Sequence, residues 1–450
     1  MTRRFRATGT LRSHDPHQDI QWASGSGAWL WDSDGRKYLD CVSGYSANVL
    51  GHCHPGLVAA LTEQASKLNF ATGGESSLRG EFEESICRVV AKSAAYHDQA
   101  LGSRDSLKTW ISTTGARAIE VAWRIAFQRR PGRLVTFDLG YHGRSIATSY
   151  ASDTAQQDCL LVGSSPTVRY SIPFPRVKAG SQACLQDACQ ESLKVFQDLV
   201  RAQSSSLSAL VVEPAIGSRG YYFAPAEYFQ RLVDIGREHG LLIISDEVQM
   251  GLGRLGGMVA SFSQGWCPDL LVLGKALGGG ILPISCVIGS AEIMDLLNAG
   301  YESETFAGSP LACRIAIEVL RIMESTEVVE SSCSLHTDLR EFLASNLPRD
   351  SVCGVGSATV IDFQIAVRNE ADKLSRDNCS FDVERGTIAA YRCAKLMREN
   401  GILVHVTGSQ RDRIAIIPPL NIRSDEMNRV GVECVNAWHR FVREAVSGLL

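Results

Sequence analysis

One lysine in this chain stands where it could act as a nucleophile. Lys275 follows the apolar run Leu270–Leu273 and precedes the glycine-rich turn Gly278-Gly279-Gly280. An apolar run bounded by turn residues is typical of a buried strand. Burial at the end of such a strand disfavours the ammonium form, so a neutral amine would be available near pH 7 to form a Schiff base with an aldehyde. On this segment alone, a surface lysine beside a flexible loop fits equally well.

An acid and an amide follow a second apolar run. Residues 241–244 read as a buried strand, and Asp246 and Gln249 come directly after it. In open parallel sheets, ligands bind at the carboxyl ends of the strands. Asp246 could keep a pyridine nitrogen protonated there, and Gln249 could donate to a ring hydroxyl. Lys275 follows Asp246 by about one strand–helix unit, which suits two strand ends facing one crevice. A carboxylate that caps the next helix is the alternative for Asp246.

Two further segments offer groups for an anion and a flat ring. Thr114, Gly115 and Ala116 begin a predicted helix, and free N–H groups at a helix N-terminus favour a phosphate. Tyr141 and Arg144 follow a third predicted strand; the first could stack on a ring and the second could hold a carboxylate. The alternative for the first segment is an ordinary helix cap, and the alternative for the second is a surface loop. His142, which lies between Tyr141 and Arg144, is expected to be structural.

These residues require strands that alternate with helices. The periodicity predicts helices over 56–68, 80–96, 115–129, 225–239, 290–298 and 309–324, and strands over 134–137, 209–212, 241–244 and 270–273. This alternation predicts an α/β fold with a mainly parallel sheet covered by helices. A hairpin is expected over 31–40. Beyond residue 325 we expect an α+β segment with strands at 360–363 and 414–417 and helices at 384–399 and 424–445. The segment 151–206 is expected to be an elaborated loop region.

Composition limits the function classes. The chain has 450 residues, 45% hydrophobic and 21% charged, with a net charge of −4, so nothing indicates nucleic acid or an anionic membrane as partner. No apolar segment approaches the roughly 20 residues needed to span a bilayer. The 14 cysteines are scattered without a CxxC pair, so we expect mostly free, buried thiols and no metal site. The arginines before Asp15 resemble a transit peptide only weakly, and a cytoplasmic location is expected.

Read together and in order, the motifs resemble those of the class III aminotransferases, which are pyridoxal-phosphate enzymes of fold type I, and among them the ornithine aminotransferases. The resemblance runs from about residue 25 to 440. It rests on Ser43-Gly44-Tyr45-Ser46-Ala47, Gly51-His52-Cys53-His54-Pro55, Thr114-Gly115-Ala116, Tyr141-His142-Gly143-Arg144, Glu213-Pro214, Asp246-Glu247-Val248-Gln249, Pro268-Asp269, Gly274-Lys275-Ala276-Leu277, Thr305-Phe306, Gly308-Ser309-Pro310 and Pro418-Pro419-Leu420.

The resemblance implies a cofactor, site residues and partners. The cofactor would be pyridoxal 5'-phosphate, with Lys275 as its Schiff-base lysine and proton carrier and Asp246 on its ring nitrogen. The implied cofactor-binding residues are Thr114, Gly115, Ala116, Tyr141, His142, Glu213, Asp246, Gln249, Lys275 and Thr305. Thr305 would reach the phosphate in the other subunit of a homodimer with shared active sites. Tyr45 and Arg144 would bind substrate, an amine donor followed by an oxo-acid acceptor.

The resemblance also implies a domain division. Residues 56–325 would form a large cofactor-binding domain, and residues 1–55 and 326–450 would together form a smaller α+β domain.

The chain departs from the ornithine aminotransferase pattern at the substrate. Those enzymes carry an acid and an arginine that act as a switch between two substrates, and the matching positions here are Ser218 and Ala415. Arg219 and Arg413 are offset from the arginine's place. We therefore expect a substrate other than plain ornithine, such as a modified or larger amine of specialised biosynthesis; a pocket that has merely drifted is the alternative.

Smaller departures lie beside the phosphate turn. The segment before Thr305 reads Glu302-Ser303-Glu304, Ser309 replaces an asparagine, and Arg117 replaces a glutamate. The loss of an arginine and the gain of carboxylates would shift the field of the cleft toward cations.

Three other functions fit parts of this pattern. A racemase or epimerase of the same fold would use the same lysine and return the proton to the opposite face. A non-catalytic binding protein of this fold would be expected to lack Lys275 or Asp246, and this chain has both. A dehydrogenase reading rests on Gly251-Leu252-Gly253-Arg254-Leu255-Gly256, which spells G-x-G-x-x-G but follows Asp246 and Gln249 rather than an early strand.

Overall fold

Three β-sheets and the helices that cover them build the fold. The computed structural model describes residues 17, 19–71, 76–99, 101, 106–152, 169–176, 184–297, 303–374 and 383–447. The strands are β1 (Trp22–Ser26), β2 (Trp29–Asp32), β3 (Lys37–Asp40), β4 (Leu107–Ser112), β5 (Arg133–Phe137), β6 (Arg169–Ile172), β7 (Leu207–Val212), β8 (Leu242–Asp246), β9 (Leu270–Leu273), β10 (Ser285–Ser290), β11 (Val352–Val355), β12 (Ala358–Asp362), β13 (Ile402–Leu403), β14 (His405–Thr407) and β15 (Arg413–Ile416).

Helices of very different length connect these strands. They are α1 (Ser43–Ser46), α2 (Pro55–Ala65), α3 (Ser77–Tyr96), α4 (Gly115–Arg129), α5 (Ile146–Ala151), α6 (Leu185–Gln203), α7 (Ala226–Glu238), α8 (Ala260–Ser263), α9 (Ala291–Met294), α10 (Pro310–Ser325), α11 (Val328–Asn346), α12 (Phe363–Leu374), α13 (Val383–Glu399) and α14 (Ser424–Val446), with 3-10 turns at Ser204–Ser206 and Lys275–Gly278. Among the described residues, no helix has the length and apolar character that crossing a membrane requires.

The central sheet has seven strands in the order β4-β10-β9-β8-β7-β5-β6. Strands β9, β8, β7, β5 and β6 run parallel, and β10 is antiparallel to both of its neighbours. Every residue of β7, β8 and β9 is buried, as expected for strands covered by helices on both faces. The predicted α/β fold with a mainly parallel sheet is confirmed; strands β4, β6 and β10 were not predicted.

The parallel register brings the predicted chemical groups to one edge of this sheet. Asp246, the last residue of β8, pairs with Val272 of β9, three residues before Lys275. Strand β4 lies antiparallel to β10 and therefore runs in the direction of β9, so its last residue, Ser112, ends at the same edge. The phosphate-type turn, the acid and the lysine thus meet because of strand order rather than closeness in sequence.

Residues from both ends of the chain share one of the two smaller sheets. Strand β13 pairs in parallel with β3, with Ile402 opposite Leu39, in the sheet β1-β2-β3-β13. The other small sheet, β11-β12-β15-β14, is antiparallel. The hairpin predicted over 31–40 is confirmed as β2 and β3, and the small α+β segment has strands and helices close to the predicted ranges. The domain boundaries at residues 55 and 325 stay predictions.

The prediction of a loop region over 151–206 was wrong for its described part. Helix α6 covers Leu185–Gln203, and β6 adds an edge strand to the central sheet. The helix buries Cys189, Ser192, Phe196 and Val200 at helical spacing. This stripe contains a serine and a cysteine among many polar residues, and so its period was weak in sequence. Residues 153–168 and 177–183 lie outside the described residues.

Candidate active site

Lys275 begins a tight turn directly after β9. Its backbone has a φ of 36°, in the left-handed region that non-glycine residues rarely adopt, and such strain is typical of functional sites. Burial lowers the pKa of its amine to about 8, although the carboxylates of Asp246 and Glu213 act in the opposite direction. A substantial neutral fraction therefore exists near pH 7.5, as a nucleophilic lysine requires.

A buried histidine orients Asp246. The Nδ1 atom of His142 lies 2.8 Å from Oδ2 of Asp246, and Oδ1 accepts from the backbone N–H of Val248 at 3.2 Å. Burial by itself would lower the pKa of His142, but the hydrogen bond and charge of Asp246 raise it. His142 was expected to be structural, and this contact indicates how: the imidazole holds the carboxylate of Asp246 in one orientation.

A second buried acid ties the Tyr141 loop to the end of β7. Oε2 of Glu213 accepts from the backbone N–H of Tyr141 at 2.9 Å. Burial raises the pKa of Glu213 to about 7, and the neighbouring charge of His142 lowers it in part. Glu213 therefore fixes the loop and adds a titrating group close to Lys275.

The turn before α4 presents the free N–H groups of a helix N-terminus. The side chain of Thr114 caps the helix by accepting from the backbone N–H of Arg117 at 3.2 Å. A Cβ on Gly115 would lie 2.7 Å from Val248 Cγ1, and one on Gly143 would lie 2.5 Å from Ala116 Cβ. The two glycines thus permit the close packing of Val248 and of the Tyr141 loop against the turn, whose N–H groups could bind an anion.

These groups line one cavity of about 470 Å³. Its lining includes ten of the predicted site residues: Thr114, Gly115, Ala116, Tyr141, His142, Arg144, Glu213, Asp246, Gln249 and Lys275. Arg144 is exposed, and its guanidinium carbon lies 5.9 Å from the centre of the Tyr141 ring, at the cavity's open side. A cavity of this volume accommodates a small cofactor with a small substrate.

Two predicted site residues lie outside the lining of this cavity. Tyr45 belongs to the left-handed turn α1, and its ring is 40% exposed and meets the edge of His405 at 5.0 Å. Ala47, two residues later, does line the cavity. Thr305 is exposed in the turn before α10.

Neutral side chains surround Ser218 and Ala415, the two positions at which the sequence predicts that the switch is lost. Gln249 donates from Nε2 to the hydroxyl of Tyr221 at 2.7 Å and accepts at Oε1 from the hydroxyl of Ser218 at 3.2 Å. Burial raises the pKa of Tyr221, so this phenol stays protonated. Ala415 is fully buried in an apolar cluster that contains Tyr221 and Met250. Met250 and Gln249 line the cavity. Ser218 and Tyr221 do not line it but hydrogen-bond to Gln249, and Ala415 packs in the cluster that contains Met250.

The offset arginine on β15 is already engaged. Arg413 donates from Nη2 to Oδ2 of Asp362 at 2.6 Å and from Nη1 to the carbonyl of Gly220 at 2.9 Å. Its guanidinium carbon also stands 3.9 Å from the centre of the Tyr222 ring. Arg413 therefore braces the segment that carries Ser218 and Tyr221, and its guanidinium is not directed at the cavity.

Comparison with known proteins identifies the family. The sequence pattern of the family "Aminotransferase class-III" matches residues 11–436. The chain belongs to the class III aminotransferases. It is 31% identical to ornithine aminotransferase 1 of Staphylococcus aureus over 421 residues, which cover 91% of this chain and 92% of that protein. It is 28% identical to the ornithine aminotransferase of Emericella nidulans over 448 residues, 94% of this chain and 87% of that one.

Solved structures agree with this membership. The ornithine aminotransferase of Toxoplasma gondii superposes with a TM-score of 0.77 at 26% identity, covering 94% of this chain and 91% of that one. A transaminase from the marine bacterium Virgibacillus shares the fold at 19% identity with a TM-score of 0.81, covering 97% and 98%. This class III aminotransferase is thus a pyridoxal-phosphate-dependent transaminase of fold type I.

The residues of the cavity fit pyridoxal phosphate. A buried amine with a lowered pKa, an oriented carboxylate and a helix N-terminus are the three groups that an aldehyde, a pyridine nitrogen and a phosphate require. The aminotransferase supplies them from three strand ends on one edge of the sheet. The fit rests on the chemistry of these donors and on the two glycines that permit the close packing around the turn.

Some lining residues were missed in the sequence. Val248 packs against Gly115 and lines the cavity, and its signal was its place between Asp246 and Gln249. Ile281, Leu282, Pro283 and Ile284 form another part of the lining. Tyr221, which does not line the cavity but accepts from Gln249, was also missed, because an aromatic residue after a Gly-Ser-Arg-Gly turn gives no indication of whether its ring is buried.

Proposed function

We propose that this aminotransferase transfers an amino group from an amine other than plain ornithine to an oxo acid by a ping-pong mechanism. The observation that supports the proposal is the neutral wall formed by Ser218, Gln249, Tyr221 and Ala415. The lost switch is not replaced by any charged side chain of this wall. If a substrate placed a second carboxylate against this wall, that carboxylate would be desolvated without a counter-charge, which costs several kcal/mol.

The chain's own residues have separate tasks in this reaction. Lys275 holds the cofactor covalently at rest and carries the proton to and from the substrate carbon, for which its lowered pKa is suited. Asp246, oriented by His142, keeps the positive charge on the ring nitrogen. When bound, pyridoxal phosphate supplies an electron sink for the negative charge that develops at the substrate carbon. Thr114, Gly115 and Ala116 hold the phosphate, and Tyr141 and Gln249 contact the ring.

Substrate contacts belong to the open side of the cavity. Arg144 holds a carboxylate, and Tyr45 closes over the substrate from the turn next to Ala47. The charge of Glu304 is paired with Arg117, so it does not favour a cation in the cavity. Glu302 lies outside the described residues. The proposal for the substrate therefore rests on the neutral wall alone.

A homodimer is part of the proposal. Thr305 and Phe306 are exposed, Phe306 by 66%, and Phe306 stacks edge-on with Phe70 at 5.5 Å. An exposed aromatic pair beside a threonine suits a surface covered by a second copy, whose phosphate Thr305 would reach. Mixing inactive Lys275→Ala chains with inactive Thr305→Asp chains should restore activity in the mixed dimer; failure despite chain exchange would contradict shared sites. The domain division and the cytoplasmic location stay predictions.

One experiment tests the reaction and the substrate class together. The purified enzyme is incubated with a panel of amines, diamines and amino acids, and the bound cofactor is followed by absorption and mass spectrometry. We expect stoichiometric amination of the cofactor by a donor other than ornithine. Ornithine with 2-oxoglutarate as the best pair would refute the substrate proposal, while loss of optical rotation without amination would indicate a racemase.

A further inference from the structure

Two departures from the family pattern, far apart in sequence, meet in the structure. Arg117 stands in the first turn of α4, and Glu304 stands just before Thr305. The Nε atom of Arg117 lies 3.6 Å from Oε1 of Glu304. The arginine that replaces a glutamate and the glutamate near the phosphate threonine are therefore an ion pair.

Glu304 is bound to the residues that lead into the phosphate turn. Its Oε2 accepts from the backbone N–H of Thr113 at 2.9 Å and from the Thr113 hydroxyl at 2.7 Å. Its Oε1 accepts from the hydroxyl of Ser112. Thr113 lines the cavity, whereas Glu304 does not, so the carboxylate holds Thr113 from outside. The side chain of Glu304 is only 13% exposed.

A carboxylate at this place has an electrostatic cost. The turn Thr114-Gly115-Ala116 is the proposed phosphate site, and an uncompensated negative charge one residue away would repel a phosphate. Arg117 lies between this carboxylate and Glu120, with its Nη1 atom 3.2 Å from Oε2 of Glu120. The guanidinium is shared by two carboxylates, and it offsets part of the charge that Glu304 brings next to the turn.

We propose that Glu304 is a positioning residue for the cofactor phosphate and that Arg117 is its electrostatic shield. Glu304 fixes the entry to the phosphate turn through Thr113, and it joins this turn to the segment that carries Thr305. Arg117 keeps the local field suitable for a phosphate. The inference rests on the proposed phosphate site at Thr114-Gly115-Ala116, and the test below separates the two.

The test compares pyridoxal phosphate with pyridoxal, which lacks the phosphate. Cofactor-free full-length protein is titrated with each, and Kd is measured by fluorescence. Arg117→Gln leaves Glu304 unshielded and should raise Kd for pyridoxal phosphate about tenfold, the size expected for one charge-assisted contact, with little change for pyridoxal. The double variant Arg117→Gln/Glu304→Gln removes the repelling charge and should recover most of this loss.

A second comparison isolates the positioning role from charge. Arg117→Gln/Glu304→Ala has the same net charge as the Gln/Gln variant but lacks the acceptor for Thr113. It should bind pyridoxal phosphate about tenfold more weakly than the Gln/Gln variant, again with pyridoxal little changed. Glu324→Gln is the matched control. The side chain of Glu324 is similarly buried, at 15% exposed, and its carboxylate lies 2.7 Å from the guanidinium of Arg88. Neither residue lines the cavity.

The outcomes are distinct. If Arg117→Gln and Arg117→Gln/Glu304→Gln bind pyridoxal phosphate with equal Kd, Arg117 is not an electrostatic shield. If Arg117→Gln/Glu304→Gln and Arg117→Gln/Glu304→Ala bind it with equal Kd, Glu304 is not a positioning residue. A loss of pyridoxal affinity as large as that of pyridoxal phosphate also overturns the inference, because it indicates general damage. Thr114→Val tests the phosphate site itself: if it leaves both ligands unaffected, the proposed site and this inference fail together.

Discussion

The two sides of the cavity are built on opposite electrostatic principles. On the cofactor side, the buried Asp246, Glu213 and His142 lie close to the half-buried Lys275, and the pKa values of Lys275, Glu213 and His142 are all shifted by burial and by neighbouring charges. On the substrate side, Ser218, Gln249, Tyr221 and Ala415 form a neutral wall. The resemblance seen in the sequence predicts that the first side keeps the class III pattern at these four positions and that the second departs from it at Ser218 and Ala415. Chemistry and specificity are therefore separable in this fold.

The largest effect should come from the lysine. Lys275→Ala removes both the covalent attachment of the cofactor and the proton carrier, so kcat should fall by at least about 10⁴-fold. Mass spectrometry of the borohydride-reduced protein should find the cofactor linked to Lys275 in the wild type and no lysine-linked cofactor in the variant. Gln249→Ala, a substitution in the neutral wall, should retain the covalent link between Lys275 and the cofactor. A surviving lysine-linked cofactor in Lys275→Ala would refute the assignment.

The aspartate should come next. Asp246→Asn removes the negative charge that stabilises the protonated ring nitrogen of the cofactor but retains the shape of the side chain. We expect kcat to fall about 10²- to 10³-fold. His142→Asn leaves the carboxylate in place without its orienting partner and should cost less. The KM for the amine should change little in both variants. An Asp246→Asn enzyme with near wild-type kcat would show that the charge of this side is dispensable.

Sequence reasoning succeeded where a motif sits at the end of a strongly apolar strand. Asp246 and Lys275 could be placed together because β8 and β9 are continuous buried runs of a parallel sheet. It failed for helix α6, whose buried face includes Ser192 and Cys189, and for strand β4, whose burial alternates only in part.

The contacts of the site were harder to predict than its members. The pairing of Arg117 with Glu304 joins residues from distant segments, and no local pattern indicates it. The inward direction of Tyr221 depends on a left-handed backbone, with a φ of 53°, that a tyrosine rarely adopts. Such features follow from tertiary packing, which periodicity does not encode.

The burial of Lys275 should be measurable as a pH-dependent stability. Its pKa of about 8 in the folded protein lies below the usual 10.5, so the unfolded chain binds more protons between these values, and stability rises with pH across this window. The cofactor-free wild type should gain about 2 kcal/mol in free energy of unfolding from pH 8 to pH 10, relative to Lys275→Met. Denaturant titrations of both proteins measure it. An equal pH dependence of the two would show that Lys275 is not buried.

The smallest expected effect concerns the substrate side, where a lost charge has to be restored within a packed wall. Ala415→Arg alone should destabilise the protein and give no gain with ornithine, because the Tyr221 ring packs in the same buried cluster and leaves no room for a guanidinium. In the variant Ser218→Glu/Tyr221→Ala/Ala415→Arg, the alanine provides room, the arginine provides the cation, and the glutamate provides the acid that masks this cation. It should raise kcat/KM for ornithine with 2-oxoglutarate about tenfold, the size expected of one net charged contact after its desolvation.

The control for this design is Ser218→Glu/Tyr221→Ala, which has the same cavity and the acid but no arginine. Because its carboxylate has no cation to mask, it should bind 2-oxoglutarate no better than the wild type does, and its absorption spectrum should still show cofactor bound through Lys275. If neither variant gains over the wild type, specificity is set elsewhere, and Arg144 and Tyr45 are the next residues to exchange. An equal gain in both would assign the specificity to the volume of Tyr221 rather than to charge, and the neutral wall would then act by shape.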